Sequence, residues 1–308
     1  MFWWQRCLVK WAGKGQIINT SSMEIWYESF GKREDPCLLL IMGGGCQGIL
    51  WPDLFCEKLA SLGFFVLRYD NRDVGLSSYF DYEKKPYNLM DMAQDAVDFL
   101  DALRISKAHV LGTSMGGAIA QLMAVHFPEK VHSLSLIATT CDFRNIANAI
   151  LEEPLTNLPR PSPSKECLQW ISLFSQQHPH LTWIQKIRTQ LDGWKILNGP
   201  EVPFDSKYYS KMMLKTIWRQ RSYNALLNHV SALLSSVDLL LHTQGKIQVP
   251  TLVFQGEKDP IFPLGHGEFL SQTIPLGELC LIDKMGHNLN ACFYEPILGR
   301  ISSFLGKQ

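Results

Sequence analysis

Ser114 lies in the stretch His109-Val-Leu-Gly-Thr-Ser-Met-Gly-Gly, with Gly112 two residues before it and Gly116 two residues after. An apolar run precedes this G-x-S-x-G and a helical pattern starts near Met115, which is the strand–turn–helix setting that gives the pattern its meaning. So tight a turn presents the hydroxyl at the start of a helix, and side chains at the flanking positions would collide with the neighbouring strand or helix. A serine hydroxyl is a poor nucleophile until a base takes its proton and a third group fixes that base's tautomer. Two late loops offer both groups. Gly256-Glu257-Lys258-Asp259-Pro260-Ile261 follows a run ending at Gln255, and Asp283-Lys284-Met285-Gly286-His287-Asn288 follows one ending at Ile282. The chemistry is then acyl transfer, with Ser114 as nucleophile, His287 as base and Asp259 as the orienting acid. Glu257 and Asp283 are alternative acids. His266 is an alternative base, but it opens a helical pattern instead of following a late strand. The remaining histidines have no comparable loop setting and read as structural or surface groups.

A tetrahedral intermediate needs donors for its developing negative charge. The backbone N–H of Met115 is one candidate, and the loop Gly43-Gly44-Gly45-Cys46-Gln47-Gly48 supplies a second. That loop is not followed by Lys-Ser or Lys-Thr and lacks the G-x-G-x-x-G helix setting, which argues against a nucleotide site.

The elements that must hold these residues are legible as apolar, β-branched runs. Candidate strands are Ile25 to Ser29, Cys37 to Met42, Phe64 to Tyr69, His109 to Gly112, Leu134 to Ala138, Thr251 to Gln255 and Leu279 to Ile282. Helical patterns separate several of them. One carries Leu89, Ala93, Ala96, Val97, Leu100 and Leu103 after a cap at Asn88, and others run Leu54 to Leu62 and Met115 to His126. This alternation predicts an α/β fold with a mostly parallel sheet, helices on both faces, and ligands beyond the carboxyl ends of the strands. The alternation stops between about 143 and 246, where proline joints and aromatic-rich helical patterns predict a helical cap inserted into a core formed by 16–142 and 247–308. Residues 1–15 read as an N-terminal extension.

Here the chain resembles the α/β-hydrolase family over about residues 16 to 305. The elbow around Ser114, an acid loop running into proline and a Gly-His loop come in that family's order. The resemblance implies an α/β-hydrolase fold and favours Asp259 as the acid and Gly44 as the second oxyanion donor. It also implies that Arg68-Tyr-Asp-Asn-Arg-Asp-Val-Gly-Leu-Ser77 is a structural loop held by a buried Asp–Arg pair. Ile41-Met-Gly-Gly, Trp51-Pro-Asp, Asp259-Pro-Ile and His266-Gly look most like the polyketide methylesterase branch, typified by aclacinomycin methylesterase. That implies a carboxylic ester as substrate, and the many aromatic residues of the insertion suggest a bulky apolar one. Sister activities remain open: a proline-type aminopeptidase, a lactonase, a cofactor-free haloperoxidase or a carbon–carbon bond hydrolase. An aminopeptidase would place cap carboxylates such as Glu152, Glu153, Glu166, Glu201 or Asp205 against the substrate's ammonium group. From a different class, a ligand sensor with slow turnover also remains.

The 308 residues carry 29 Lys plus Arg and 29 Asp plus Glu, so no net field favours a nucleic-acid partner. The eight cysteines include no C-x-x-C pair and read as reduced core residues, with Cys46 and Cys141 possible at the pocket entrance. The mechanism requires neither metal nor organic cofactor. No run approaches the roughly 20 apolar residues of a membrane span, and a cytoplasmic setting is expected. Phe2, Trp3, Trp4 and Trp11 interleaved with Arg6, Lys10 and Lys14 leave open an interfacial contact through Met1 to Lys14. The oligomeric state is not legible.

Overall fold

The structure, a computed structural model, describes residues 15–155, 158–177, 182–222 and 225–306. The basic-aromatic start, Met1 to Lys14, lies outside the described residues. Eight strands form one sheet: β1 Gln16–Asn19, β2 Glu24–Phe30, β3 Cys37–Ile41, β4 Phe65–Tyr69, β5 Ala108–Thr113, β6 Val131–Ile137, β7 Thr251–Gly256 and β8 Gly277–Ile282. Their order is β1-β2-β4-β3-β5-β6-β7-β8. The pairs β1–β2 and β2–β4 are antiparallel, and every later pair is parallel.

All five residues of β3 are buried because helices cover both faces, so the strand reads as a continuous apolar run instead of an alternation. The period of two survives in where each side chain goes. Leu39 and Ile41 join Val110, Leu134, Leu136 and Val253 on one face, under α2 Leu89–Ala102 and α3 Met115–His126. Leu38 and Leu40 join Leu111, Ile137, Leu252 and Phe254 on the other, under α1 Asp53–Ser61 and α11 Tyr294–Leu305. Between β6 and β7 the chain forms the helical cap: α4 Arg144–Leu151, α5 Lys165–Gln177, α6 Trp183–Asn198, α7 Ser206–Arg219, α8 Ala225–Leu234 and α9 Val237–Leu240. Helix α10, Gly265–Thr273, links β7 to β8.

The cap at Asn88 is present. Its side chain accepts from Met90 N at 2.7 Å and Asp91 N at 3.2 Å, while Asp91 accepts from Asn88 N at 2.8 Å. Strand β1 had no sequence signal. It is a four-residue edge element, mostly exposed, and its Ile17 is itself exposed.

His109, one of the histidines read as structural or surface groups, is buried in β5 with Nδ1 2.8 Å from Ser133 Oγ. Burial, with His132 beside it, pushes its pKa from 6.5 down to about 4. Between those values the unfolded chain binds a proton that the fold does not, so this contribution to stability is lost as pH falls from 6.5 toward 4. His109 keeps a small solvent exposure, and with that screening the expected loss is about 1–2 kcal/mol. The check is urea unfolding between pH 7.5 and 4.5 (about one pH unit beyond the window at its upper end) for wild type and His109→Gln. The wild type should show the steeper decline, and parallel curves would remove His109 as the cause.

Candidate active site

Ser114 ends the crossing from β5 to α3 with φ 53° and ψ −125°, a conformation outside the regions that L-residues favour. The surrounding bonds over-determine it. Ser114 N–H donates to Ile137 O on β6 at 3.0 Å, and Thr139 Oγ1 donates to Ser114 O at 2.6 Å. The flanking glycines are steric necessities: an added Cβ on Gly112 would stand 2.4 Å from Gly116 O, and one on Gly116 would stand 2.2 Å from Ile41 O. The collisions expected from the sequence are therefore with helix and strand backbone.

Across the cleft, His287 Nδ1 lies 2.9 Å from Asp259 Oδ2. The other carboxylate oxygen accepts from Ile261 N at 2.8 Å and Phe262 N at 3.0 Å, so Asp259 is held by its own loop as well as by the imidazole. Glu257 and Asp283, the alternative acids, are exposed. His266 is committed elsewhere, with Nδ1 2.9 Å from Thr140 Oγ1 and Nε2 2.9 Å from Pro161 O. With Nδ1 engaged by Asp259, a neutral His287 has Nε2 as its free basic nitrogen.

The cap positions this histidine loop, which the sequence did not indicate. His287 N and Asn288 N both donate to Leu197 O near the end of α6, at 2.7 and 3.1 Å, and Asn288 Nδ2 donates to Trp194 O at 2.9 Å.

Ser114, His287 and the Gly43, Gly44 and Gly45 loop line one cavity of about 210 Å³. It adjoins a second of about 490 Å³ between α6, α7 and the same loop, and Cys46, Trp194, Tyr209 and Leu226 border both. Trp194 and Tyr209 stack with centroids 5.4 Å apart at this junction, and Trp218, 65% exposed, lines the larger chamber. Among the described residues lining either chamber there is no carboxylate. Met115 is buried and does not line the smaller cavity. It opens α3, where the first N–H groups have no intrahelical acceptor, and its sulfur would lie 3.4 Å from an added Cβ on Gly44. Cys46 faces the site, but burial pushes its thiol up to about 12, so it is not a thiolate nucleophile near neutrality. Cys141 is buried and borders a different cavity, beside Asp142 and Arg144.

The segment Arg68 to Ser77 is held by charge pairs that reach out of it. Asp70 pairs with Arg219 of α7, Arg72 with Asp95 of α2, and Arg68 with Glu28 and Asp53. Among the described residues, no group of three His, Cys, Asp or Glu is arranged to hold a metal ion, and no helix is long and apolar enough to cross a membrane.

An eight-stranded, mostly parallel sheet with a serine elbow after β5, an acid loop after β7 and a histidine loop after β8 defines a hydrolase scaffold. The model of the α/β-hydrolase fold matches residues 36–291, and the chain belongs to the α/β-hydrolase family. It is a hydrolase of that family. It is related to the rhodomycin D methylesterase of Streptomyces sp. strain C5, with 33% identity over 289 residues covering 93% of this chain and 96% of that one. The rhodomycin D methylesterase of Streptomyces peucetius is 32% identical over the same shares. In fold it is similar to the 2-hydroxy-6-oxo-6-phenylhexa-2,4-dienoate hydrolase of Rhodococcus sp. strain RHA1, at TM-score 0.73 and 18% identity over 94% of this chain and 98% of that one.

Proposed function

We propose that the protein is a serine hydrolase that cleaves a carboxylic ester of a bulky apolar small molecule through an acyl-enzyme on Ser114. The observation that carries this reading is the convergence of Ser114, the His287–Asp259 pair and the Gly43–Gly45 loop on one small cavity opening into a larger aromatic-lined one. In this mechanism His287 Nε2 takes the Ser114 proton as Oγ attacks the ester carbonyl. The backbone N–H groups of Gly44 and Met115 receive the oxyanion. Collapse breaks the acyl–oxygen bond, and the alcohol leaves with the proton from His287. Water, deprotonated by His287, then attacks the acyl-enzyme, and the acid and Ser114 are released.

The two chambers divide a substrate unequally. The carbonyl and a small alkoxy group match about 210 Å³, and a fused-ring acyl portion matches the 490 Å³ chamber. The relationship to methylesterases supports the small alkoxy group. A proline-type aminopeptidase is disfavoured by the lack of a carboxylate among the described lining residues, because the substrate's ammonium would be left without a counter-charge.

The test is a fluorophosphonate probe followed by peptide mass spectrometry, beside hydrolysis of paired methyl and benzyl esters of a fused-ring aromatic acid and of acetic acid. The expected result is an adduct on Ser114 and a kcat/KM highest for the methyl ester of the ring acid, by about 10-fold or more over methyl acetate. One-to-one acylation without turnover would overturn the reading in favour of a slow ligand sensor.

A further inference from the structure

The Gly43–Gly48 loop is tied to the cap as well as to the sheet. Gly45 has φ 66°, and an added Cβ there would lie 2.6 Å from Leu226 Cδ1 on α8, so conformation and space both require glycine. Its N–H donates to His229 Nδ1, one turn further along α8, at 2.9 Å. The other ring nitrogen, Nε2, lies 2.8 Å from Arg72 O. These partners fix the tautomer. A backbone N–H can only donate, so Nδ1 is unprotonated; a carbonyl can only accept, so Nε2 carries the hydrogen. Burial pushes the His229 pKa below its ordinary value, which keeps the ring neutral as both bonds require. The preceding residue, Asn228, anchors the same helix by donating to Asp73 Oδ2 at 2.8 Å.

We propose that His229 is a positioning residue: by accepting the Gly45 N–H and donating to Arg72 O, it fixes the Gly44–Gly45 peptide and with it the Gly44 backbone, so that the Gly44 N–H, which belongs to the preceding peptide, faces the carbonyl oxygen of the substrate. Rotation of this peptide would carry the neighbouring donor away from the oxyanion. Because His229 belongs to the cap and Arg72 to the core, the oxyanion loop takes its working shape only with the cap seated. Gln47 reinforces the coupling two residues on, donating from Nε2 to Thr216 O at 2.8 Å and accepting from Arg219 Nη1 at 2.7 Å, both on α7. The proposal rests on the serine hydrolase reading, with Gly44 as an oxyanion donor.

The experiment compares wild type, His229→Leu and His229→Asn with an aryl ester and with the fluorophosphonate. The Asn Oδ1 can stand where Nδ1 stands and accept the Gly45 N–H. His229→Leu should lose about 10- to 100-fold in kcat with KM within about twofold, less than or equal to the loss of one oxyanion donor. His229→Asn should recover most of that loss. A folded His229→Leu protein with kcat within about twofold of wild type, or an Asn variant as impaired as Leu, would overturn the proposal. Imidazole ¹⁵N NMR of the wild-type protein gives a check independent of whether the variants fold. It should show His229 neutral with hydrogen on Nε2; hydrogen on Nδ1 overturns the proposal. Failure of wild type to label at Ser114 would instead sink the underlying serine hydrolase reading.

Discussion

Ser114→Ala is expected to abolish fluorophosphonate labelling and to lower kcat on an aryl ester by about 10⁴- to 10⁶-fold, with the protein still folded. The loss is this large because alanine leaves no atom to form the acyl-enzyme, and only binding and the backbone donors remain. His287→Gln should cost a comparable factor. Glutamine keeps much of the bulk packed near Phe262 but offers no group that can take a proton near neutral pH. The double variant should be hardly slower than either single one, because nucleophile and base act as a unit. Stopped assays with mass-spectrometric detection of the adduct check all three proteins. Additive losses would mean that His287 does not activate Ser114. A Ser114→Ala protein with wild-type turnover would move the chemistry to another residue.

The parts of this site that could be read from sequence are those carried by local grammar. Ser114 and Asp259 follow the buried strands β5 and β7, which announce themselves because a sheet covered on both faces needs apolar residues at almost every position. His287 follows β8, which is only partly buried but whose run from Leu279 to Ile282 is still apolar. Asn88 was legible for the same reason, since a cap acts within three residues. What holds these loops to the cap was not legible. Leu197 accepts from His287 and Asn288 through a backbone carbonyl, and a carbonyl has no signature in a sequence. His229 meets Gly45 across 184 residues, and Arg219 meets Asp70 across 149. No periodicity links such partners; only the folded cap brings them together. The Arg68–Ser77 segment shows both sides of this. Its charge was visible and a buried Asp–Arg pair was expected, but its arginines take their partners from β2, α1 and α2, and its Asp70 takes Arg219 from the cap.

That last pair sets the second large effect. Asp70 and Arg219 are almost completely buried, 2.9 Å apart. Asp70 also accepts from Gly48 N at 2.8 Å and Leu76 N at 2.9 Å, while the Arg219 guanidinium lies 4.0 Å from the ring centroid of Trp26 and donates to Gln47. Arg219→Met retains much of the apolar stem but leaves the Asp70 carboxylate buried without its counter-charge. The expected destabilisation is about 3–5 kcal/mol, seen as a lower urea midpoint. In Asp70→Asn/Arg219→Met the neutral amide has no charge to strand, so the double variant should be more stable than Arg219→Met alone. A single-variant loss below about 1 kcal/mol would mean that desolvation cancels the attraction and that the cap is seated by its apolar contacts instead. If the pair does seat the cap, Arg219→Met should also lose activity beyond what unfolding explains, because Gln47 and Leu197 hand the cap's position to the oxyanion and histidine loops. Ester hydrolysis at a urea concentration well below the midpoint separates that loss from unfolding.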